Sequence, residues 1–324
     1  MIVESLVPPL DFSFDLCYAA AMNYSALKDM FPGASTQEIK IEVDDGWTQF
    51  NPSLSFSPVQ GYRCIIRSSN YGMNELGQYL TNDPHDVIRT KNYIATLDSA
   101  LDIVDYQPIQ PCKWGNIEYT LVRGLEDARL YWTKDHWQVY GNLREHRRDG
   151  LPTIVTARLA HDRLINPKIL DNFDQCQKNW MIMGNGPNFI YKCNPPATIH
   201  HGVYREEPHD PLPDETLAFR GSSQAIPRGS GYIAVTHEVD WATGHRRYFH
   251  RFCLFDDAGY LTGYTDPFMF VFDTLLEDQP MIEYCAGLVT HGNNFVCSLG
   301  YKDSRAFLAT IPVSQVVNEI YPIS

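Results

Sequence analysis

Tyr232-Ile-Ala-Val-Thr236 and Tyr248-Phe-His-Arg-Phe-Cys-Leu-Phe255 are two short runs of mostly β-branched and aromatic residues, with glycine and polar residues between them. Runs of this kind, bounded by Gly, Pro, Asn or Asp, are typical of strands that form hairpin arms. The pattern recurs from about residue 37 onward, in Tyr62–Arg67, Leu130–Trp132, Trp137–Tyr140, Asn188–Lys192, Phe295–Gly300 and Ala306–Ile311. The sequence therefore predicts a protein that is almost entirely β.

Helical periodicity is confined to a few segments. The first is Leu16 to Met30, which Phe31-Pro-Gly33 ends, and two shorter ones are Asn74 to Leu80 and Ser314 to Ile320. We expect residues 1–35 to form a short, partly helical N-terminal extension and residues 36–324 to form the main domain.

The strand runs fall into five groups, near residues 37–70, 88–145, 152–192, 217–255 and 281–311. Small antiparallel sheets that repeat around an axis avoid long exposed edges, and their first loops converge on a central funnel. The grouping therefore favours an all-β, five-bladed β-propeller. A two-sheet sandwich with insertions is the alternative, and spacing alone does not exclude it.

Composition limits the classes of partner. A net charge of −13 opposes bulk binding to a nucleic-acid backbone, because that binding depends on Lys and Arg. No N-terminal leader is recognisable, and no stretch approaches the roughly 18 apolar residues of a spanning helix. The eight cysteines include no C-x-x-C pair. We expect a cytoplasmic protein with buried free thiols, no metal site and no membrane partner, for which oligomerisation is compatible with the sequence.

The segment Gly124-Leu-Glu-Asp-Ala-Arg129 places two acids and an arginine at the edge of a strand. On a regular strand Glu126 and Asp127 point to opposite faces, so only one of them can enter a given cleft. An acid in a cleft beside Arg129 can be tuned for proton transfer. The alternatives are a solvated turn with a surface ion pair and, for Glu126, a scaffold ion pair with Arg123 or Arg129.

Four further polar blocks begin or end strands, about one in each remaining group: Phe50-Asn-Pro-Ser-Leu54, Gln177-Lys-Asn-Trp180, Phe219–Pro227 and Gly300-Tyr-Lys-Asp303. We expect these blocks to converge on one pocket. Each has a simpler interpretation as well. Asn51 could only cap an Asx-turn, Lys178 could only pack along Trp180, and His237 could be a structural histidine.

The order of these blocks, together with Gly231–His237 and Ile282-Glu283, resembles the five-bladed β-propeller mannoside phosphorylases and hydrolases of glycoside hydrolase family 130. The likeness spans roughly residues 45 to 311. It implies a carbohydrate-active enzyme that cleaves or transfers a mannose-like unit, with a small carbohydrate as its substrate. No organic cofactor is implied, and inorganic phosphate could serve as a co-substrate.

The resemblance also implies roles for particular residues. Asp127 matches the general acid of the family's E-D-P-R block, while Glu283 and Asp303 match its later acids. The candidate substrate-binding residues are Asn51, Arg67, Arg89, Glu126, Arg129, Lys178, Asn179, Arg220, His237 and Tyr301. The chain departs from the family pattern at Ala128, at Thr236-His-Glu238, at Lys302 and in the additional basic run Arg89-Thr-Lys-Asn-Tyr93.

Three functions are compatible with these residues. Breaking a glycosidic bond requires an acid and an attacking group on the opposite face, which is phosphate in a phosphorylase and carboxylate-activated water in a hydrolase. A glycosyltransferase that uses a sugar-phosphate or nucleotide-sugar donor is the second function. The third is a non-catalytic glycan-binding propeller in which aromatic rings stack on sugars, for which the candidates are Trp47, Trp114, Trp132 and Trp180.

Overall fold

The computed structural model describes residues 24–74, 77–114, 120–170, 177–206, 208–241, 244–270 and 280–323. Within these ranges the chain is nearly all strand, with two short α-helices and one short 3₁₀ helix, and its sheets indicate a β-propeller. The predicted all-β class is confirmed. None of the helices in these ranges is long and apolar enough to cross a bilayer.

The N-terminal elements are β1 (Ser25–Ala26), α1 (Leu27–Met30) and β2 (Ser35–Ile39). They are followed by β3 (Thr48–Ser57), β4 (Gly61–Ser69), β5 (Tyr71–Met73), β6 (Tyr79–Thr81), β7 (Ile88–Leu97), β8 (Ile103–Pro108) and β9 (Val122–Arg123). Strands β3, β4, β7 and β8 pair in that order, with β9 beside β7, and form sheet I. Strands β5 and β6 form a separate hairpin.

Sheet II consists of β10 (Glu126–Trp132), β11 (Trp137–Leu143), β12 (Thr153–Ala160) and β13 (Arg163–Ile169). Sheet III consists of β14 (Met181–Ile182), β15 (Phe189–Lys192), β16 (Ala197–His200) and β17 (Val203–Glu206). Both are antiparallel meanders in which each strand pairs with the next strand along the chain. A 3₁₀ helix at Asp214–Ala218 leads to the next sheet.

Sheet IV contains β18 (Arg220–Gly221), β19 (Ile226–Arg228), β20 (Gly231–Asp240), β21 (Arg247–Phe255), β22 (Leu261–Tyr264) and β23 (Phe268–Met269). Sheet V contains β24 (Glu283–His291), β25 (Asn294–Tyr301) and β26 (Arg305–Pro312). Helix α2 (Val313–Asn318) and β27 (Tyr321–Pro322) follow. The predicted hairpin arms at 232–236 and 248–255 are β20 and β21, which pair in register from Tyr232 to Asp240.

Early strands complete the last two sheets. Strand β2 pairs antiparallel with β26 on the edge of sheet V, and β1 pairs parallel with β23 in sheet IV. Leu27 and Phe31 are buried in the core between these two sheets. The predicted N-terminal extension, as far as residues 24–35 show, is therefore built into the body of the protein.

The helix predictions have mixed outcomes. Ser314 to Ile320 is confirmed as α2, but Asn74 to Leu80 is wrong, because the β5–β6 hairpin occupies that region. The Asn74 side chain accepts a hydrogen bond from the Gln78 backbone at 2.9 Å, and this local bond favours a turn over a helix. Of the predicted helix Leu16 to Met30, only α1 is helical, residues 25–26 are strand, and residues 16–23 lie outside the described residues.

The hydrophobic core consists of separate clusters between sheets. Each cluster joins two sheets, in the sequence I with II, II with III, III with IV, IV with V, and V with I. Every sheet thus buries its two faces against two different neighbours, which closes the layers into a ring. This arrangement rules out the two-sheet sandwich.

Polar contacts join the inner strands near the middle of the ring. The buried Gln224 donates from Nε2 to Leu54 O on β3 and to Leu288 O on β24, both at 2.9 Å. Its side chain therefore connects the β18–β19 segment of sheet IV to sheets I and V. Without it, two buried carbonyls would lose their hydrogen-bond donor.

Replacing Gln224 with Met keeps the side-chain length and removes both hydrogen bonds. We expect the free energy of unfolding in urea to fall by roughly 2–4 kcal/mol, because each unsatisfied buried carbonyl costs about 1–3 kcal/mol. Gln37→Met is the matched control, since the amide of Gln37 makes an exposed hydrogen bond to Asp102. Equal losses in the two variants would contradict the structural role of Gln224.

Candidate functional site

Asp127 lies in a β-bulge at the start of β10. The β10–β11 register shifts between Glu126 and Arg129, and the Asp127 backbone is left-handed, with φ 46°. Asp tolerates this conformation better than most residues. Gly141 stands opposite, where an added Cβ would lie 2.8 Å from Glu126 O. The bulge re-aims the side chain of Asp127 and breaks the regular alternation of the strand.

Because of the bulge, Glu126 and Asp127 reach the same arginine. Arg67 on β4 donates from Nη2 to Glu126 Oε1 at 2.7 Å and from Nη1 to Asp127 Oδ1 at 2.9 Å. The expectation that the two carboxylates serve opposite faces is therefore wrong. Arg67 is 5% exposed and its guanidinium lies 4.9 Å from the centre of the Phe50 ring, so both carboxylates are held at a fixed position.

Glu126 has a second cationic partner. Its Oε2 accepts a hydrogen bond from Arg144 Nε at 3.2 Å. The scaffold ion pair proposed for Glu126 is present, but with Arg67 and Arg144 and not with Arg123 or Arg129.

Asn51 repeats the backbone arrangement of Asp127 on the innermost strand of sheet I. The β3–β4 register shifts between Phe50 and Ser53, and Asn51 has φ 46°. Its Nδ2 donates to Asp127 Oδ1 at 3.0 Å. Gly300 makes room for this side chain, since a Cβ there would lie 2.0 Å from Asn51 Oδ1. Asn51 thus contacts the candidate acid directly and is more than a turn cap.

The cations around Asp127 control its protonation. Burial raises the pKa of this carboxyl, but Arg67, Arg129, the Asn51 hydrogen bond and Lys178 together lower the pKa below its ordinary value. The side chain is still 22% exposed. Asp127 is therefore an ionised carboxylate that solvent can reach.

Asp303 is a second carboxylate of this site, and its pKa is shifted in the opposite direction to that of Asp127. It lies in the turn between β25 and β26, and its Oδ2 accepts a hydrogen bond from Tyr71 Oη at 3.1 Å. Burial raises its pKa, Arg67 lowers it, and the charge on Asp127 raises it, so that the net pKa is above the ordinary value. Two carboxylates whose environments separate their pKa values are a feature of acid–base sites.

Arg129 and Tyr284 connect sheets II, IV and V. Arg129 is 2% exposed and donates from Nε to Ser222 O at 2.8 Å and from Nη2 to Tyr284 Oη. The Tyr284 hydroxyl in turn donates to Asn179 Oδ1 at 3.3 Å. Asn179 precedes sheet III and is also left-handed, with φ 64°.

His237 on β20 lies beside this group. Its ring stacks on Tyr248 at 5.2 Å and meets the edge of Tyr284 at 5.4 Å. Burial lowers its pKa well below the ordinary value, and His250, Arg220, Arg129 and Lys178 lower it further, so the imidazole is neutral near pH 7. Among the described residues its Nδ1 has no hydrogen-bond partner. Lys178 and Arg220 themselves are exposed.

The remaining candidates have other surroundings. Glu283 is fully buried and its Oε2 accepts a hydrogen bond from Phe270 N at 2.7 Å. Tyr301 belongs to the core between sheets IV and V. The Arg89 guanidinium is paired with Asp83 at 3.1 Å beside a separate surface hollow. We therefore assign Glu283 and Tyr301 structural positions in the fold.

The tryptophans divide in a similar way. Trp114, Trp132 and Trp180 are 6%, 8% and 0% exposed, so they pack in the core and the expectation that they stack on sugars is wrong. Trp47 is half-buried and lines the hollow beside Arg89.

Sequence reasoning missed several residues around Asp303 and His237, namely Tyr71, Tyr79, Arg246, Tyr248 and Tyr284. Arg246 Nη2 donates to Tyr79 Oη at 3.0 Å, and the charge of Arg246 lowers the pKa of Asp303. Tyr284 was recognisable in principle, because it directly follows Glu283 and alternation turns it to the other face of β24. The two tyrosines of the β5–β6 hairpin gave no comparable signal.

No family model matches the chain, and no curated protein matches it in sequence. Solved structures do match it in fold. One is the β-1,2-mannobiose phosphorylase from Listeria innocua in complex with β-1,2-mannobiose, at 11% identity and a TM-score of 0.56, with 91% of this chain and 98% of that chain covered.

Two further matches have similar scores. A mannose phosphorylase from Leishmania mexicana in complex with phosphate ion is 13% identical, with a TM-score of 0.54 and coverage of 90% and 91%. A structure from work on glycoside hydrolase family 130, a family of mannoside phosphorylases reported to contain hydrolases that target β-1,2 mannosidic linkages in Candida mannan, is 13% identical, with a TM-score of 0.55 and coverage of 89% and 96%. At these identities the chain shares the fold of mannoside phosphorylases and hydrolases.

Proposed function

We propose that this protein is a carbohydrate-active enzyme that cleaves a mannoside by phosphorolysis, with Asp127 as the general acid. The observation that carries the proposal is a partly exposed, ionised carboxylate at Asp127, beside two cations, Arg129 and Lys178, that also lower the pKa of His237. The fold is shared with solved structures described as phosphorylases of β-1,2-mannobiose and of mannose, which supports the substrate class.

We interpret sheets I to V as five blades. Each packs against two neighbours through its own hydrophobic cluster, and β2 completes sheet V. Asn51 and Arg67 come from sheet I, Asp127 and Arg129 from sheet II, and the other site residues from the segment before sheet III and from sheets IV and V. In this interpretation, residues of all five blades surround one site, as in the funnel of a propeller.

The region around His237 is suited to an anion. Arg220, Arg129 and Lys178 all lower the pKa of this histidine, so they create a positive potential there although the chain has a net charge of −13. Arg binds phosphate by paired hydrogen bonds and Lys as a point charge. Among the described residues, the buried Nδ1 of His237 has no hydrogen-bond partner.

In the reaction we propose, the Asp127 proton is transferred to the glycosidic oxygen as the bond between that oxygen and the anomeric carbon breaks. A phosphate oxygen forms the new bond to the anomeric carbon, through an oxocarbenium-like transition state. The products are a sugar 1-phosphate and the shortened sugar. Hydrogen phosphate or solvent then restores the proton of Asp127.

Phosphate binding also accounts for how an ionised aspartate becomes an acid. Arg67, Arg129 and Lys178 lower the pKa of Asp127 in the unliganded protein. A phosphate dianion beside the same cations would offset their charge and raise the pKa of Asp127 toward the range needed for proton donation. The binding of phosphate and the protonation of Asp127 are then coupled.

Hydrolysis is the second candidate function, and Asp303 is the observation that favours it. A hydrolase of the inverting type needs a second carboxylate to activate water, and Asp303 is a carboxylate close enough to Asp127 for their charges to interact. Glu283 is less suited to this role, since its carboxylate binds the Phe270 backbone.

Replacing Asp127 with Asn removes the proton donor and keeps the size of the side chain. We expect kcat for β-1,2-mannobiose to fall by about 10²–10⁴-fold, which is the usual contribution of a general acid, with a cooperative unfolding transition retained. Sugar 1-phosphate is assayed with and without phosphate, and nucleotide-sugar donors are tested in parallel. Unchanged turnover would exclude Asp127 as the acid, and binding without turnover in the unaltered protein would favour a non-catalytic propeller.

Replacing Lys178 with Ala removes one cation from the proposed phosphate site. We expect the KM for phosphate to rise about tenfold, equivalent to about 1.4 kcal/mol, with a smaller change in the KM for the mannoside. Lys168→Ala is the matched control, because Lys168 is an exposed lysine on the outer strand β13. The same phosphate KM in both variants would contradict the anion site.

Replacing Asp303 with Asn tests the raised pKa and the alternative function together. A folded-state pKa above the ordinary value costs stability once the pH exceeds that ordinary value, so the variant is expected to be more stable than the unaltered protein at pH 7. The difference should shrink as the pH falls toward about 4, where the unfolded carboxyl also binds a proton.

Urea unfolding at pH 7 and pH 4 measures this difference, with the exposed Asp257→Asn as the control. The raised pKa of Asp303 would be refuted if the stability of the variant, relative to the unaltered protein, were lower at pH 7 than at pH 4. Loss of phosphate-independent cleavage in the same variant would support hydrolysis with Asp303 as the base.

A further inference from the structure

A surface hollow of about 280 Å³ lies beside the proposed active site and is not part of it. Its lining includes Asp45, Trp47, Asn70, Asn82, Asp83 and Arg89, and we call it the Trp47 pocket. Its volume is near the lower end of the range for ligand pockets, about 300–1,000 Å³, which suits one small ring. The basic run that begins at Arg89 therefore contributes to a cavity of its own.

The Trp47 pocket adjoins Asp303 through two pairs of consecutive residues. Thr48, next to Trp47, donates from Oγ1 to Asp303 O and to Tyr71 O, both at 3.0 Å. Tyr71, next to Asn70, donates its hydroxyl to Asp303 Oδ2 at 3.1 Å. The lining of the pocket is thus connected to Asp303 through the residues that follow Trp47 and Asn70.

Contacts hold the lining side chains in place. The Lys91 ammonium lies 4.9 Å from the centre of the Trp47 ring and is paired with Asp44. Arg89 Nε donates to Asp83 Oδ2 at 3.1 Å, and its side chain is still 42% exposed. Among the described residues, no contact engages the terminal nitrogens of Arg89. Asn70 is fixed by its bonds to the backbone of Val87 and Arg89.

The chemistry of the lining matches a sugar. A pyranose presents an apolar face of C–H groups, which an indole ring covers well, and a rim of hydroxyls that both donate and accept hydrogen bonds. The Trp47 pocket offers one aromatic ring, the carboxylate of Asp45, the amide of Asn82 and the guanidinium of Arg89. The carboxylates Asp45 and Asp83 disfavour an anionic ligand, so the matching class is a neutral sugar.

We propose that the Trp47 pocket is an outer subsite, which binds a further sugar unit of an oligosaccharide whose scissile bond lies at Asp127. This inference rests on the proposed function, because it requires an oligosaccharide in the neighbouring site. It gives the enzyme a preference for chains longer than a disaccharide. Trp47 and Arg89 are then residues that determine chain-length specificity and are not catalytic.

The test measures binding in the Asp127→Asn background, so that turnover does not interfere. β-1,2-Linked mannobiose, mannotriose and mannotetraose are titrated calorimetrically into this protein and into versions that also carry Trp47→Ala or Arg89→Gln. In the Trp47→Ala and Arg89→Gln versions, we expect the Kd for mannotriose or mannotetraose to rise about tenfold. The Kd for mannobiose should change by less than twofold. Trp241→Ala is the matched control, since Trp241 is a 44% exposed tryptophan outside the pocket.

The outcomes separate the two proposals. An equal loss of affinity for all three sugars, or no loss for any of them, would overturn the outer subsite. The proposed function would remain intact if the protein still binds and cleaves mannobiose. If the Asp127→Asn protein without a second substitution binds none of the three sugars, the proposed substrate class is overturned, and the subsite with it. Arg89→Gln removes the charge but keeps an unbranched polar side chain, so it tests the subsite if Trp47→Ala does not fold.

Discussion

The ion pairs of Arg67 with Glu126 and Asp127 are the interaction on which the site depends. A guanidinium that is 5% exposed needs compensating charge, and both carboxylates come from the neighbouring sheet. Removing both carboxylates would leave a buried charge unpaired, which costs far more than the ion pairs themselves contribute. Arg67 therefore joins sheets I and II and also fixes the orientation and charge state of Asp127.

The innermost strands position their polar side chains by the same backbone feature, a β-bulge. Asn51 and Asp127 are left-handed residues at register shifts of β3 and β10, and β24 has a further shift between Cys285 and Gly287. A bulge turns a side chain out of the regular alternation, so a residue of an inner strand can point along the ring axis. Gly141 on the paired strand β11 and Gly300 on β25 of sheet V make the close approach possible.

The electrostatics divide the site into two halves. Near Arg67 and Asp303, carboxylates and cations are balanced, and the pKa values of Asp127 and Asp303 move in opposite directions. Near His237 cations prevail and keep the imidazole neutral. One half is suited to proton transfer and the other to binding an anion, and these are the two tasks of the phosphorolysis we propose. The Trp47 pocket lies beside the first half.

The sequence by itself determined the all-β class, the position of most strands and the polar blocks that carry Asn51, Asp127, Asn179 and Asp303, because short β-branched and aromatic runs and turn residues are local signals. It did not determine that Glu126 and Asp127 share Arg67, that Glu283 and Tyr301 are buried, or that Tyr71, Arg246 and Tyr284 belong to the site. Those outcomes depend on bulges and on packing between sheets that are distant in the chain. Only the tertiary structure decides them, since a one-residue register shift reverses the direction of every side chain that follows it.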